Sequence, residues 1–235
     1  MLQETFLNQP EVFLSRTMKK LRPSAILFDM DGVLIDSLDS WWHALNDALK
    51  RFKHQEITRD EFILFEYPAA CCGWDGATGD IIQTYWGHDL KDNLRRLNLH
   101  PDVARFCNIT YGGHMDSIHI YPDTKETLQE LAAYKKAIIT NTPTDCARQI
   151  LKKFDIAQYF EAIITSDDVT KAKPDPEIVF MACERLGVHP ETVVLIGDTK
   201  SDVQAGRVAG CTVIGLKIDA DFSIQRLAEL TNIIQ

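Results

Sequence analysis

Short apolar runs rich in β-branched residues recur at wide intervals along the chain. Such runs predict strands that are buried on both faces, as in a parallel sheet with helices on both sides. The predicted strands are residues 25–28, 137–140, 162–165, 193–197 and 212–216. Segments with a helical apolar period lie between the later strands, at 124–134, 143–154, 176–186 and 227–234. Strands that alternate with helices predict an α/β fold with a doubly wound, Rossmann-like parallel sheet.

This alternation breaks after the first strand. The next stretch is too long for a loop, and its helix-like segments are 38–52, 59–65, 79–85 and 101–115. All four tryptophans, Trp41, Trp42, Trp74 and Trp86, fall within it. We therefore predict a helical domain at 38–119, inserted into a catalytic core formed by 24–37 and 120–235. Residues 1–23 form an N-terminal extension.

Polar residues follow four of the predicted strands. They are Asp29, Asp31 and Gly32 after the first, Thr140 and Asn141 after the second, Lys173 a few residues after the third, and Asp198 and Asp202 after the fourth. The carboxyl ends of the strands are where open α/β sheets bind ligands. The sequence thus predicts that carboxylates, a hydroxyl and an ammonium meet at one edge.

These residue types suit phosphoryl transfer. Clustered carboxylates are ligands for a hard cation such as Mg²⁺, which also offsets the repulsion between Asp29 and Asp31. One aspartate can attack phosphorus while the other moves a proton. A threonine hydroxyl and a lysine ammonium can neutralise the charge on the phosphoryl oxygens.

Four segments together resemble the motifs of the haloacid dehalogenase superfamily. They are the D-x-D-G of residues 29–32, the strand-terminal Thr140, the K-P-x-P of 173–176 and the G-D-x₃-D of 197–202. The resemblance runs from about residue 24 to the C-terminus. It implies a Rossmann-like core and identifies the helical insertion as an all-helical cap domain.

The resemblance also implies roles for individual residues. Asp29 is the nucleophile that becomes phosphorylated, and Asp31 protonates the leaving oxygen and then activates water. Thr140 and Lys173 complete the catalytic set and bind the phosphoryl group. The Mg²⁺ ligands are Asp29, Asp31 (through its carbonyl), Asp198 and Asp202.

Three further residues are candidates for substrate binding. Asn141 follows Thr140 and could line the phosphate pocket, although asparagine is also a common turn residue. Trp74 and Asp75 lie in a cap loop, and such loops help choose the substrate in this superfamily. Asp202 has an alternative role, because it could also cap the start of a helix.

The aspartate at position 31 favours phosphate-ester hydrolysis over dehalogenation, since an alkoxide leaving group needs a proton. We expect a phosphoric monoester hydrolase that acts on a small phosphorylated metabolite and resembles phosphoglycolate phosphatases. A sugar-phosphate mutase of the same superfamily, or a non-catalytic or receiver-like phospho-ligand-binding protein, remains an alternative.

The composition argues against some classes of binding partner and indicates where in the cell the protein is found. A net charge of −9 over 235 residues and a pI near 5.2 argue against nucleic-acid binding. The absence of an 18-residue apolar run and of a secretory signal predicts a cytoplasmic protein with no membrane partner. The six cysteines contain no C-x-x-C pair and predict reduced, buried thiols.

Overall fold

A parallel sheet forms the centre of the protein in the computed structural model, which describes residues 20–60 and 101–235. The strands are β1 (Ala25–Phe28), β2 (Ile35–Asp36), β3 (His119–Ile120), β4 (Lys135–Ile139), β5 (Ala162–Ile164), β6 (Val193–Gly197), β7 (Thr212–Leu216) and β8 (Phe222–Ile224). Six of them form one sheet in the order β5-β4-β1-β6-β7-β8, with every pairing parallel. β2 and β3 form a separate antiparallel ribbon.

Helices cover both faces of this sheet. They are α1 (Leu38–Arg51), α2 (Pro101–Tyr111), α3 (Thr124–Glu130), α4 (Thr144–Lys153), α5 (Glu177–Leu186), α6 (Lys200–Ala209) and α7 (Leu230–Ile233). Short 3₁₀ helices occupy Gly112–Ser117, Ala157–Tyr159, Ser166–Asp168, Pro190–Thr192 and Leu227–Glu229. The predicted helices 124–134 and 227–234 are therefore shorter in the structure, the second as one 3₁₀ turn followed by α7.

The side chains of β1 alternate between two hydrophobic clusters, as expected for a strand that is buried on both faces. Ile26 and Phe28 pack in a cluster with α3, α4 and α7, and the same cluster continues into α1 and α2. Ala25 and Leu27 pack on the opposite face with α5 and α6. These two layers confirm the predicted doubly wound α/β fold.

The β2–β3 ribbon joins the chain segments that leave and re-enter the sheet. Ile35 pairs with Ile120 and Asp36 pairs with His119. The ribbon therefore lies at the boundaries predicted for the insertion, whose described parts, α1 and α2, are helical and pack on each other. Predicted helix 79–85 and most of 59–65, together with Trp74, Asp75 and Trp86, lie outside the described residues.

The two ends of the described chain meet beside the sheet. The Leu21 amide donates to the Ile233 carbonyl, and the Gln235 amide donates to the Leu21 carbonyl, both within 2.9 Å. Leu21 lies in the predicted extension, so the core packing begins before residue 24.

The sequence did not predict α6, β8 or the ribbon. The buried face of α6 consists mainly of small or polar residues: Ser201, Asp202, Val203, Ala205, Gly206 and Ala209. Such a face carries almost no large apolar residues at helical spacing, which is the signal that predicts an amphipathic helix. β8 and the ribbon strands have only two or three residues each, too few for a period to appear.

The structure also bears on the predicted state of the cysteines and on membrane-spanning helices. Cys107, Cys146, Cys183 and Cys211 are buried free thiols, as expected. Within residues 20–60 and 101–235, no helix combines the length and the apolar character needed to cross a bilayer.

Candidate active site

The register of the sheet brings three of the predicted site residues to the same level. Phe28 at the end of β1 is paired with Ile138 of β4 and with Ile196 of β6. Asp29 is therefore level with the last residues of those strands. Thr140 and Asp198 follow one position later on either side, so all three lie at the carboxyl edge.

A buried lysine joins two of the carboxylates. Asp29 and Lys173 are 5% and 3% exposed. The Lys173 Nζ lies 2.8 Å from Asp29 Oδ1 and 2.7 Å from Asp202 Oδ1, and it donates to the Ile139 carbonyl at 3.1 Å. An ammonium has three protons, so these three acceptors use all of them.

Burial and the charge of the partner act in opposite directions on the pKa values of Asp29 and Lys173. Desolvation, followed by the nearby Asp202 carboxylate, raises the pKa of Asp29 to about 8, although Lys173 opposes the shift. Desolvation works to lower the pKa of Lys173, but Asp202 and Asp29 outweigh it and hold that pKa above its ordinary value. Lys173 is therefore cationic at neutral pH. One lysine does not offset the burial of Asp29, and a further positive charge at the site would favour the ionised nucleophile.

Asp202 links this lysine to the start of α6. Its Oδ2 accepts hydrogen bonds from the Thr199 amide at 3.0 Å and the Thr199 hydroxyl at 2.5 Å. Thr199 is the N-cap of α6, and the pair forms a capping box. The alternative role predicted for Asp202, helix capping, is thus present together with its contact to Lys173.

Gly32 allows the Asp198 carboxylate to approach the turn after β1. Gly32 has φ +80°, in the left-handed region that favours glycine. A Cβ at this position would lie 1.9 Å from Asp198 Oδ2. No side chain larger than hydrogen fits without moving the Asp198 carboxylate.

We predict that Gly32→Ala displaces Asp198 and costs about 2 kcal/mol or more in the free energy of unfolding, since it adds backbone strain to a clash. Phosphate release should fall, and the Mg²⁺ concentration for half-maximal activity should rise. Gly113→Ala is the matched control, because a Cβ there has no neighbour within 4 Å. Equal unfolding midpoints and Mg²⁺ dependences for the two variants would contradict this reading of Gly32.

Three carboxylates could together hold a metal ion. One oxygen from each of Asp29, Asp198 and Asp202 lies within 4.8 Å of the other two. Carboxylate oxygens at this spacing fit a hard cation such as Mg²⁺. Within residues 20–60 and 101–235, Lys173 is the cation that contacts these carboxylates, and the excess of negative charge favours a metal ion as well.

Asp31 is held by donors on both of its oxygens. Oδ2 faces the loop after β4, and Oδ1 faces the helical insertion. The donors to Oδ2 are the hydroxyls of Thr142 (2.7 Å) and Thr140 (3.3 Å). The donors to Oδ1 are Ser37 Oγ (2.5 Å), the Tyr111 hydroxyl (3.1 Å) and Trp41 Nε1 (3.4 Å).

The structure gives Asn141 a well-defined contact. Its side-chain amide donates to the Lys173 carbonyl and accepts from the Lys173 amide, both at 3.0 Å. This pair of hydrogen bonds fixes the backbone that carries the lysine. A role in the phosphate pocket stays a prediction. Lys171, two residues before Lys173, is exposed, and its Nζ lies 3.8 Å from Asp175 Oδ2.

Sequence reasoning missed four residues of this site: Ser37, Trp41, Tyr111 and Thr142. Ser37 directly precedes the predicted insertion, and Trp41 lies in its first helix-like segment, so neither position suggested a catalytic contact. Tyr111 is 80 positions from Asp31 and no local pattern connects them. Thr142 offered the one usable signal, since it is a second hydroxyl two residues after Thr140.

Comparisons with known proteins agree with this architecture. A sequence profile of haloacid dehalogenase-like hydrolases matches residues 26–216. The phosphoglycolate phosphatase of Salmonella choleraesuis is 29% identical over 210 residues, which cover 81% of this chain and 80% of that protein. The phosphoglycolate phosphatase of Haemophilus influenzae is 28% identical over 203 residues, with 84% and 87% covered.

A solved structure shares the fold at lower sequence identity. CbbY from Rhodobacter sphaeroides, determined in complex with phosphate, superposes with a TM-score of 0.70 at 21% identity. The superposition covers 88% of this chain and 96% of CbbY.

Proposed function

The chain belongs to the haloacid dehalogenase-like hydrolase family, and we propose that it is a Mg²⁺-dependent phosphatase that works through an aspartyl-phosphate. The family predicted from the four motifs is confirmed by the profile match and by the phosphatase relatives. The enzyme class expected from Asp31, a phosphoric monoester hydrolase, agrees with the names of those relatives.

The proposal rests on the geometry around Asp29. The Asp29 carboxylate lies at the end of a buried strand and 2.8 Å from a buried ammonium, and its neighbour Asp31 is fixed by hydroxyl donors. A nucleophile, a cation and a proton-transfer group thus lie together, as aspartyl-phosphate chemistry requires. A purely structural ion pair would not need the second carboxylate, Asp31.

The metal would be held mainly by Asp29 and Asp198. Asp202 contributes negative charge nearby, but its oxygens already accept hydrogen bonds from Lys173 and Thr199. Mg²⁺ at this position would neutralise the phosphoryl oxygens and favour the ionised form of Asp29. The backbone carbonyl of Asp31 remains a further predicted ligand.

The first step breaks the substrate ester. A carboxylate oxygen of Asp29 attacks phosphorus and forms an O–P bond, while the bond from phosphorus to the leaving oxygen breaks. Asp31, protonated, gives its proton to that oxygen, so the alcohol leaves as a neutral molecule. Lys173 and the Thr140 hydroxyl stabilise the charge on the transferring group.

The second step regenerates the enzyme. Asp31, now a carboxylate, takes a proton from water as the water oxygen attacks phosphorus. The bond between phosphorus and the Asp29 oxygen breaks. This releases inorganic phosphate and regenerates the free Asp29 carboxylate. Asp31 thus regains the proton that it gave to the first leaving group, and it can protonate the leaving oxygen of the next substrate.

We propose a small phosphorylated metabolite as the substrate, with phosphoglycolate as the first candidate. The two phosphatases from Salmonella choleraesuis and Haemophilus influenzae, which match this chain over 81% and 84% of its length, are named for that substrate, and CbbY was determined with phosphate bound. Trp74 and Asp75 stay proposed specificity residues of the cap.

The experiment is phosphate release from phosphoglycolate, hexose phosphates, nucleoside monophosphates and pyrophosphate, with Mg²⁺ and with excess chelator. We expect release from at least one compound, reduced by chelator to the background rate and restored by added Mg²⁺. Turnover that survives chelation would contradict the metal requirement. Isomerised substrate without free phosphate would indicate the mutase instead.

A further inference from the structure

The two oxygens of Asp31 receive their hydrogen bonds from different parts of the chain. Oδ2 is held by Thr140 and Thr142, which follow β4 of the sheet. The donors to Oδ1 come from the residue before the insertion and from its helices: Ser37 precedes α1, Trp41 lies in α1, and Tyr111 ends α2.

Tyr111 is the most firmly fixed of these donors. It is fully buried, and its ring stacks on Trp41 with centroids 3.9 Å apart and planes 16° from parallel. Its hydroxyl donates a hydrogen bond to Asp31 Oδ1 at 3.1 Å.

A buried tyrosine hydroxyl in a helical insertion does not need a catalytic aspartate as its partner. Water or a backbone carbonyl would satisfy it equally well. Here the Tyr111 hydroxyl reaches from α2 of the insertion to the core. It contacts Oδ1 of Asp31, whereas the two threonines donate to Oδ2. The orientation of Asp31 therefore depends on α1 and α2 as much as on the sheet.

We propose that Tyr111, supported by its stack on Trp41, is a positioning residue that orients Asp31 for proton transfer to the leaving group. This inference rests on the proposed phosphatase function and deepens it. The insertion then contributes to the chemical step itself, through a hydrogen bond to the proton donor.

The proposal makes a prediction about leaving groups. An alkoxide must be protonated as it departs, whereas p-nitrophenolate is stable enough to leave without a proton. A variant with a misplaced Asp31 should therefore show a lower kcat/KM for alkyl phosphates and keep most of its kcat/KM for p-nitrophenyl phosphate. A variant that is merely less stable should lose both activities in equal proportion.

The test compares kcat/KM for the best alkyl phosphate and for p-nitrophenyl phosphate, because this constant reports steps up to departure of the leaving group. Tyr111→Phe retains the ring and its stack but removes the donor. We expect kcat/KM for the alkyl ester to fall about 10-fold or more, through kcat rather than KM, and that for the aryl ester less than about 3-fold. Asp31→Asn should change the ratio in the same direction and further.

Tyr159→Phe is the matched control, since its hydroxyl lies in an exposed contact with Gln129 and should leave the ratio unchanged. The ratio within one preparation does not depend on the fraction of folded enzyme. If Tyr111→Phe cannot be purified, Trp41→Phe keeps an aromatic ring there, removes the N–H donor and should shift the ratio in the same direction.

Each outcome supports or overturns the proposal. An unchanged ratio in Tyr111→Phe, or in Trp41→Phe where it is the variant used, would overturn the positioning role, provided that the wild type is active and depends on Asp29. Wild type that releases no phosphate from either ester would instead contradict the proposed function, which separates the two failures.

Discussion

Asp29→Asn is expected to lower phosphate release by at least about 10⁴-fold, because it removes the attacking carboxylate oxygen while preserving the shape of the side chain. The loss should appear in kcat with every active substrate, the aryl ester included. Steady-state phosphate release with Mg²⁺, under conditions where the wild type is saturated, measures it.

The same variant should remain folded. The folded-state pKa of Asp29, about 8, lies above its unfolded value. Between the two values the unfolded chain loses its proton first, so ionisation of Asp29 reduces stability as the pH rises towards 8. A neutral asparagine avoids this cost but gives up the charge pair with Lys173. Because the two changes oppose each other, the unfolding midpoint at pH 7 without metal should stay close to that of the wild type.

Asp219→Asn is the control for the substitution itself, since Asp219 is exposed and should keep full activity. An Asp29→Asn variant that is folded and retains more than about 1% of wild-type turnover, with deamidation excluded by mass spectrometry, would contradict the role of Asp29 as nucleophile.

Lys173→Met should have the second largest effect, on activity and on stability together. The change leaves Asp29 and Asp202 buried and facing each other without their shared cation. Breaking a buried charge network in this way typically costs about 3–5 kcal/mol, and loss of the phosphoryl-stabilising ammonium should lower kcat by about 10³-fold. Urea unfolding and steady-state kinetics measure the two effects.

Lys171→Met is the control for this lysine. Lys171 is two residues away, and its side chain is 72% exposed in a long contact with Asp175. A surface pair of this kind is worth about 1 kcal/mol at most, so both stability and activity should be nearly unchanged. Similar losses in the two variants would contradict the assignment of Lys173.

Mg²⁺ should partly restore the stability of Lys173→Met, because an added cation neutralises the same two carboxylates, Asp29 and Asp202. The unfolding midpoint of this variant should therefore rise more with Mg²⁺ than that of the wild type. The comparison separates loss of charge balance from a simple packing defect, which would not respond to the ion.

The sequence predicted the strands that position the site because a buried parallel strand leaves a strong local signal. Polar residues follow these strands, and parallel strands bring their carboxyl ends to one edge, so the sequence alone predicts that Asp29, Thr140 and Asp198 lie together. Their register in the structure agrees with that argument.

The contacts around Asp31 could not be predicted in the same way. Tyr111 reaches Asp31 through the packing of α2 on α1, which depends on helix-crossing geometry and not on any spacing in the chain. The sequence indicates helix capping by Asp202 only as an alternative to metal binding, whereas the structure combines the capping box with a contact to Lys173. The helix α6 itself was not predicted, because it buries small residues.

Trapping of the phosphorylated enzyme tests the central claim most directly. Asp31→Asn should accept a phosphoryl group from p-nitrophenyl phosphate, which needs no proton donor, but should hydrolyse it slowly because the base is missing. We expect a burst of p-nitrophenolate stoichiometric with enzyme, and a mass increase of one phosphoryl group on the acid-quenched peptide that contains Asp29. A burst with the phosphoryl group on any other residue, or steady turnover of the aryl ester at the wild-type rate without a burst, would contradict it.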